Sequence, residues 1–258
     1  GLLLKNKMFH MEQLVCNEWF KNWFNSKYYH VLYKNRDFSE AEFFISNFIE
    51  KVNIKPNSLI WDNACGNGRH AYIFAKKGFN VIGTDVCDSN IQFAKSNFQL
   101  SNLNFFIHDM RREFYLNYFD LAINIFTSIG YFDYVYEEEK AIKVMSNSLK
   151  KSGLILIDFL NANYLNKNLV PRETKLVDGI VFEIKREIKN GFVYKHIRVI
   201  DDNNKFNYLE RVRLLTKSFF EREFDRNKIG IISTWGDYSL NDFDIESSER
   251  LILLGVKK

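Results

Sequence analysis

The sequence predicts an α/β chain: a doubly wound, seven-stranded, mainly parallel sheet with an N-terminal helical lid and an inserted antiparallel β-meander. Three observations predict it. Short apolar runs alternate with stretches of helical period from Ser58 to Phe159. The first run ends in Asp62 and passes directly into a glycine-bearing turn, Asp62-Asn63-Ala64-Cys65-Gly66-Asn67-Gly68-Arg69-His70, which opens a helix. After Phe159 the helical spacing stops, and strand-like segments follow one another through strong turn signals.

Taken in order, apolar residues from about Trp19 to Glu50 recur at helical spacing, which predicts two or three helices, with Ser39 as N-cap and Glu42 completing a capping box. Pro56 and Asn57 break the pattern, and the run Ser58 to Trp61 is the first strand. Further strands are expected near Asn80 to Thr84, Asn104 to Ile107, Asp120 to Ile125 and Leu154 to Phe159. Helices are expected over Ile91 to Leu100 and Glu137 to Leu149, with Gly153 as a helix stop after the second. Ile180 to Ile188, Phe192 to Asp201 and Phe206 to Leu214 form the meander, joined by Asn190-Gly191 and Asp201-Asp202-Asn203-Asn204. A helix over about Thr216 to Arg226 and two strands, Ile229 to Trp235 and Glu249 to Val256, complete the edge of the main sheet. The expected organisation is a lid over residues 1–50, a cofactor-binding core over 51–160, the insert over 161–214 and the last helix and strands over 215–258.

Composition narrows the function classes. With 258 residues, 46% of them hydrophobic, the chain can bury a large core, and only two Pro and twelve Gly leave little room for a flexible linker. Thirty-six Lys and Arg against 32 Asp and Glu give +4, with both signs interspersed, which disfavours a nucleic-acid footprint. The cluster Lys185, Arg186, Lys189, Lys195 and Arg198 is offset by Glu183 and Glu187. Cys16, Cys65 and Cys87 are odd in number and lack C-x-x-C spacing, so neither a disulfide framework nor a metal site is expected, and a reducing cytoplasm fits. Leu2-Leu3-Leu4 is too short for a signal-peptide core, and no run of about 18 apolar residues suits a membrane span.

In an open parallel sheet a ligand binds beyond the carboxyl ends of the strands, beside the first strand, where the turn from Asp62 stands. Gly66 and Gly68 let the main chain approach a ligand closely. A dinucleotide site would carry a third glycine and a phosphate-binding helix start. Here the run is G-N-G-R-H-A, with Ala71 in the third place and a carboxylate leading the turn. S-adenosylmethionine (SAM) has no phosphate but carries an ammonium and a sulfonium, and an acidic strand end suits it better. Asp85 ends the second strand, nineteen residues after Gly66, where a carboxylate can accept both ribose hydroxyls, a spacing NAD sites share. Asp109-Met110 follows the third strand, where a short acid can meet an adenine amino group while Met packs on the ring.

The motifs D-N-A-C-G-N-G-R-H, I-G-T-D, H-D-M-R and N-I-F-T-S-I-G-Y-F, in this order over roughly residues 58 to 160, resemble those of class I SAM-dependent methyltransferases, whose sheet is Rossmann-like. D-M-R and F-T-S-I-G-Y, with an antiparallel insert after the fifth strand, are similar to the small-molecule members that include antibiotic-sugar N-methyltransferases. Asn63 stands where such proteins usually carry an apolar residue. The resemblance implies that Asp62, Ala64, Gly66 and Gly68, with Cys65 and His70 beside them, line the methionine end. It implies Asp85 and Val86 at the ribose, Asp109 and Met110 at the adenine, and Asn124, Ile125 and Phe126 as the floor below the sulfonium. The segment Tyr28 to Asp37 resembles the Tyr- and Arg-bearing helix that closes over SAM in such enzymes. Tyr29, Tyr33 and Arg36 recur at about one helical turn, and Arg36 is placed to pair with the SAM carboxylate.

In-line methyl transfer needs alignment and exclusion of water, and a base only if the acceptor attacks while still protonated. His30 is the first candidate base and Tyr29 the second, because they stand beside the lid residues. Tyr131, His196, Glu210, Trp235 and Tyr238 are candidate acceptor contacts, Trp235, Tyr238 and Phe243 as an aromatic wall. The function expected is transfer of a methyl group to an oxygen or nitrogen of a small molecule. A ribosomal-RNA or protein methyltransferase of the same fold, a non-catalytic SAM binder and an NAD-dependent oxidoreductase remain alternatives. The meander is also a candidate surface for pairing two protomers.

Overall fold

The computed structural model describes residues 19–34 and 38–258. Two short helices, α1 (Trp19–Phe24) and α2 (Lys27–Leu32), precede a longer one, α3 (Phe38–Val52). Ser26 caps α2, its hydroxyl accepting from the Tyr28 amide at 3.1 Å. Because α3 already includes Phe38, Ser39 lies within its first turn and is not the N-cap expected from the S-x-x-E spacing.

The main sheet contains β1 (Leu59–Asn63), β2 (Asn80–Asp85), β3 (Leu103–Ile107), β4 (Phe119–Asn124), β5 (Leu149–Leu160), β10 (Ile229–Trp235) and β11 (Arg250–Lys257). Their order is β10-β11-β5-β4-β1-β2-β3. β1 pairs in parallel with β2 on one side and with β4 on the other, so the strand order reverses there and a crevice opens beyond the carboxyl ends. β11 is antiparallel to both β5 and β10; the last two strands therefore complete the sheet, but with one strand reversed. On one face α3, α4 (Arg69–Lys76) and α5 (Asp88–Asn97) bury Phe44, Phe48, Phe74 and Ile91. On the other, α6 (Val135–Ser148) and α8 (Lys217–Arg226) bury Ile142, Met145, Phe220 and Phe224.

Gly153 does not stop α6. The helix runs straight into β5, and its C-cap Leu149 is already extended. Gly153 instead lies where the β4–β5 register slips, and a Cβ there would sit 2.9 Å from the Lys150 carbonyl oxygen and 3.1 Å from that of Phe119. The bare Cα permits the bulge.

After β5 comes α7 (Ala162–Asn168), then a four-stranded antiparallel sheet in the order β6 (Arg172–Val177), β7 (Ile180–Lys189), β8 (Phe192–Asp201) and β9 (Asn204–Arg213). Asn190-Gly191 makes the β7–β8 turn with φ of +52° and +76°, the conformation that dipeptide favours in two-residue hairpins. Strand β6 was not expected: its residues are mostly exposed at a sheet edge, so no buried-face alternation marks it. The segment expected as one lid is divided. Trp23, Tyr28 and Leu32 of α1 and α2 pack on Phe182, Ile184, Ile197 and Val199 of the meander, whereas α3 packs on the main sheet. Among the described residues no helix is long and apolar enough to cross a membrane.

Candidate active site

The turn after β1 is built by close backbone approach. Ala64, Gly66 and Gly68 take left-handed φ of +64°, +54° and +82°. At Gly68 a Cβ would lie 2.6 Å from the Phe105 ring and 3.0 Å from Ala94, so glycine is required twice over, by conformation and by space. At Gly66 the space is open and only the conformation favours glycine.

Two carboxylates frame this turn. Asp62 is 2% exposed; the Ala71 amide bonds to it, but Oδ2 finds no partner within the protein. Burial pushes its pKa up to about 7, with the charge of Asp85 adding to the rise and the Ala71 amide and Arg69 opposing it. Asp85 joins the tips of β1 and β2, accepting from the Gly66 amide at 2.9 Å and the Cys87 amide at 2.8 Å. Burial raises its pKa too, against the pull of those amides and of Asn90.

Beyond β3, Arg111 forks around Asp109, with Nε 3.0 Å from Oδ1 and a terminal nitrogen 2.6 Å from Oδ2, while the other reaches Glu137 at 2.7 Å. Burial alone would raise the Asp109 pKa, but the bonds and charge of Arg111 outweigh it and hold the carboxyl below its ordinary value. The same partners, Asp109 first, raise the Arg111 pKa.

Asp85, Asp109 and Arg111 open on one cavity of about 460 Å³ at the switch point. Of the residues read from the sequence, Ala64, Cys65, Gly66, His70, Asp85 and Val86 line one side, Asp109 and Met110 a second, and Ile125 and Phe126 a third. Tyr29, His30 and Tyr33 from α2 and its C-terminal turn face them with Tyr131. Asp62, Gly68 and Asn124 stand behind the lining; Asn124 is fully buried and donates to the Asn63 carbonyl at 2.8 Å. Arg36 lies outside the described residues.

Four sequence candidates for acceptor contact lie away from the cavity lining. His196 is half exposed on β8, 3.2 Å from Glu187. Glu210 on β9 serves the lid instead: Trp23 Nε1 and the Tyr33 hydroxyl donate to its Oε1 at 2.6 and 2.5 Å, and the Lys195 ammonium lies 3.5 Å from its Oε2. Trp235 is core beside Phe48, and the hydroxyl of Tyr238 donates to Asp158 at 3.0 Å. Phe243, expected with these two as an aromatic wall, packs at the edge of the core on the α6–α8 face.

The cavity also contains residues the sequence reading missed. Asn67 contacts His30 Nδ1 at 3.1 Å, and burial lowers the His30 pKa. Phe24 packs edge-on against Tyr29 and at a tilt against Tyr131, with ring separations of 4.9 and 5.4 Å. Arg69, Asn90, Ser128, Phe132, Lys34, Phe38, Phe93, Phe98, His108 and Arg111 also line it. Asn67 and Arg69 were legible as members of the turn, and Arg111 as the last letter of H-D-M-R; Phe24 and Phe38 carried no signal.

The donor and acceptor set suits SAM. Buried atoms of three lining residues, Asn67 Oδ1, His70 Nε2 and Asn90 Oδ1, find no partner within the protein, and paired carboxylates stand at the strand tips as a cation-bearing nucleoside requires. Among the described residues no group of His, Cys, Asp and Glu could hold a metal ion.

Sheet order, switch-point cavity and acid-led turn together define the architecture of the class I SAM-dependent methyltransferases. A family model described as a methyltransferase domain matches residues 54–220, and the chain belongs to that family. It is 20% identical over 198 residues to dTDP-3-amino-3,4,6-trideoxy-alpha-D-glucopyranose N,N-dimethyltransferase of Streptomyces venezuelae, covering 74% of this chain and 81% of that protein. Two relatives named as methyltransferases, from Invertebrate iridescent virus 6 and Bacillus subtilis, are matched over 44% of their length, so the chain spans less than half of each. In structure it is similar to a S-adenosylmethionine-dependent methyltransferase from Clostridium acetobutylicum, with a TM-score of 0.76 and 19% identity over 89% of this chain and 96% of the other. It is also similar to SAM-bound CalS10, an amino pentose methyltransferase from Micromonospora echinaspora, with a TM-score of 0.72 and 16% identity over 90% and 98%. At these identities the two structures show the fold.

Proposed function

We propose that this chain transfers the methyl group of SAM to a nitrogen or oxygen of a small molecule, with an amino-sugar-like amine as the first acceptor class to test. The observation that carries the reading is the cavity at the switch point, which Asp85 and Asp109 at the strand tips share with the aromatic residues of α2. The amino-sugar relatives support the acceptor class, as does the face of Phe24, Tyr29, Tyr131 and Phe132, since aromatic faces attract ammonium groups as well as sugar rings. When bound, SAM supplies an activated methyl on a sulfonium.

The chain's own residues then have three tasks. The Ala64 to Asn67 backbone, backed by Asp62 and Gly68, holds the methionine end, Asp85 the ribose, and Asp109 with Met110 the adenine. Phe126 and Ile125 floor the cavity, and the aromatic residues of α2 roof it and exclude water. His30 receives the acceptor's proton: its burial-lowered pKa keeps the ring neutral at pH 7. The Asn67 amide nitrogen lies 3.1 Å from Nδ1, so in this arrangement Nδ1 accepts and the ring proton sits on Nε2; for Nε2 to serve as the base, the Asn67 amide turns its oxygen toward Nδ1–H. Meander and lid select the acceptor, and the protein works free of a membrane, in the cytoplasm.

Calorimetry tests the cofactor and a labelled-methyl screen the chemistry. Micromolar binding of SAM and of its demethylated product, with label passing to amines or hydroxyls of a small-metabolite panel, is the expected result. Tight binding of NAD with none of SAM would overturn the reading, and SAM binding without turnover on the panel would leave a binding protein.

A further inference from the structure

We propose that Asp158, assisted by Arg250 and Tyr238, is a positioning residue for methyl transfer, holding the cavity floor at Ile125 to Ser128 in shape; this rests on reading the cavity as the transfer site. Asp158 stands near the end of β5 and is 0% exposed. Its Oδ2 accepts from the Phe126 amide at 3.0 Å and from the Tyr238 hydroxyl at 3.0 Å. Its Oδ1 accepts from Arg250 at 2.8 Å through Nε and at 2.7 Å through a terminal nitrogen. Its backbone carbonyl receives the Thr127 amide at 3.0 Å, and Arg250 reaches the Thr127 hydroxyl at 3.1 Å. Three elements thus converge on two consecutive residues of the loop after β4.

That loop needs holding. Phe126 and Thr127 have φ of +66° and +65°, a left-handed pair that residues with side chains rarely adopt in succession. Left to itself the segment would relax to negative φ, and the Phe126 ring would leave the cavity. In place, that ring lies 5.6 Å from His70 and 5.3 Å from the Arg69 guanidinium, so the floor is joined to the turn after β1. A carboxylate is the one side chain of this size that can accept from an amide, a hydroxyl and a guanidinium at once. Asparagine would turn an NH2 toward a donor on one side or the other.

The test is amide hydrogen exchange and SAM calorimetry on the full chain carrying Asp158→Asn. The expected result is at least tenfold faster exchange at Phe126 and Thr127, unchanged protection in β1 and β2, and SAM affinity reduced three- to tenfold. Unchanged exchange at both amides in a folded variant overturns the proposal. So does a loss of protection spread evenly over the sheet, which would mark Asp158 as a general core residue. If Asp158→Asn does not fold, Tyr238→Phe removes a single donor and should raise exchange at Phe126 two- to fivefold; no change there overturns the proposal as well. Wild-type protein that fails to bind SAM would overturn the cofactor reading, while the exchange at Phe126 and Thr127 would still judge the role of Asp158 in holding the loop.

Discussion

The two walls of the cavity are made in opposite ways. On the carboxylate side every determinant sits in a short local segment, Asp62 to His70, Ile82 to Asp85 and His108 to Arg111, brought together by parallel pairing of adjacent strands. On the lid side the contacts join residues far apart in the chain. Trp23 reaches Glu210 across 187 positions, and the Tyr28 hydroxyl reaches Asp201 across 173 at 2.9 Å. One wall is a motif; the other is a tertiary interface. The difference teaches that, on the proposed function, cofactor recognition would rest on the sheet and acceptor selection on how well two separately built pieces dock.

The sharpest way to break this division is at Asp85. Asp85→Ala removes the acceptor of the Gly66 and Cys87 amides together with the proposed ribose partner. Charge-assisted hydrogen bonds contribute roughly 1.5–3 kcal/mol each, so SAM affinity should fall about 10²- to 10³-fold. Calorimetry checks it, and an unchanged affinity would remove Asp85 from the site.

Next in size is a glycine pair. Gly68→Ala must push the Phe105 ring away and accept a left-handed φ, which should cost about 3 kcal/mol of stability. Gly66→Ala meets open space and should cost about 1 kcal/mol. Denaturant melts of both variants give the comparison, and equal losses would mean that close packing of α5 and β3 on the turn is not what requires Gly68.

On the lid side, Glu210→Gln should loosen the docking of α1 and α2 without touching the sheet. The carboxylate takes two hydrogen bonds and the Lys195 charge, with little exposure to water. Losing the charge should cost about 1.5 kcal/mol, read as roughly tenfold faster amide exchange over Trp23 to Tyr33 with β1 and β2 unaffected. Equal changes in both regions would show that the walls do not act separately.

The same contrast accounts for what was legible in the sequence. Strand and helix alternation, the acid-led turn and the two Asp residues at later strand tips are written in spacing, because parallel strands with helical crossovers place consecutive segments side by side. Glu210 and Tyr238 looked like acceptor contacts because a polar residue or an exposed-looking tyrosine carries no mark of its partner; each is taken up by hydrogen bonds within the protein. Trp235 faces the core because β10 ends against Phe48 of α3, a meeting of residues the spacing does not reveal. Phe24 and Phe38 reach the cavity by the docking of separate helices, which no local pattern records.

The smallest expected effect is a pH dependence that belongs to the carboxylate side alone. In the ligand-free protein burial pushes the Asp62 pKa up to about 7, so near neutrality a substantial fraction carries a proton. Because the folded-state value lies above the ordinary one, Asp62 binds more protons folded than unfolded, and its contribution to the stability of the free protein falls as pH rises from about 4 to about 7. A cation docked beside it reverses the balance by favouring the carboxylate. Binding of SAM should therefore release a fraction of a proton near pH 7, and affinity should rise several-fold from pH 6 to pH 8 before levelling off, with the raised Asp85 adding in the same direction. Calorimetry in buffers of different ionisation heat measures the release, and Asp62→Asn should abolish most of it. His30, on the other wall, is shifted the opposite way, its pKa lowered by burial. Proton uptake in place of release would mean that the cation is not seated beside Asp62, and the division of labour between the two walls would have to be redrawn.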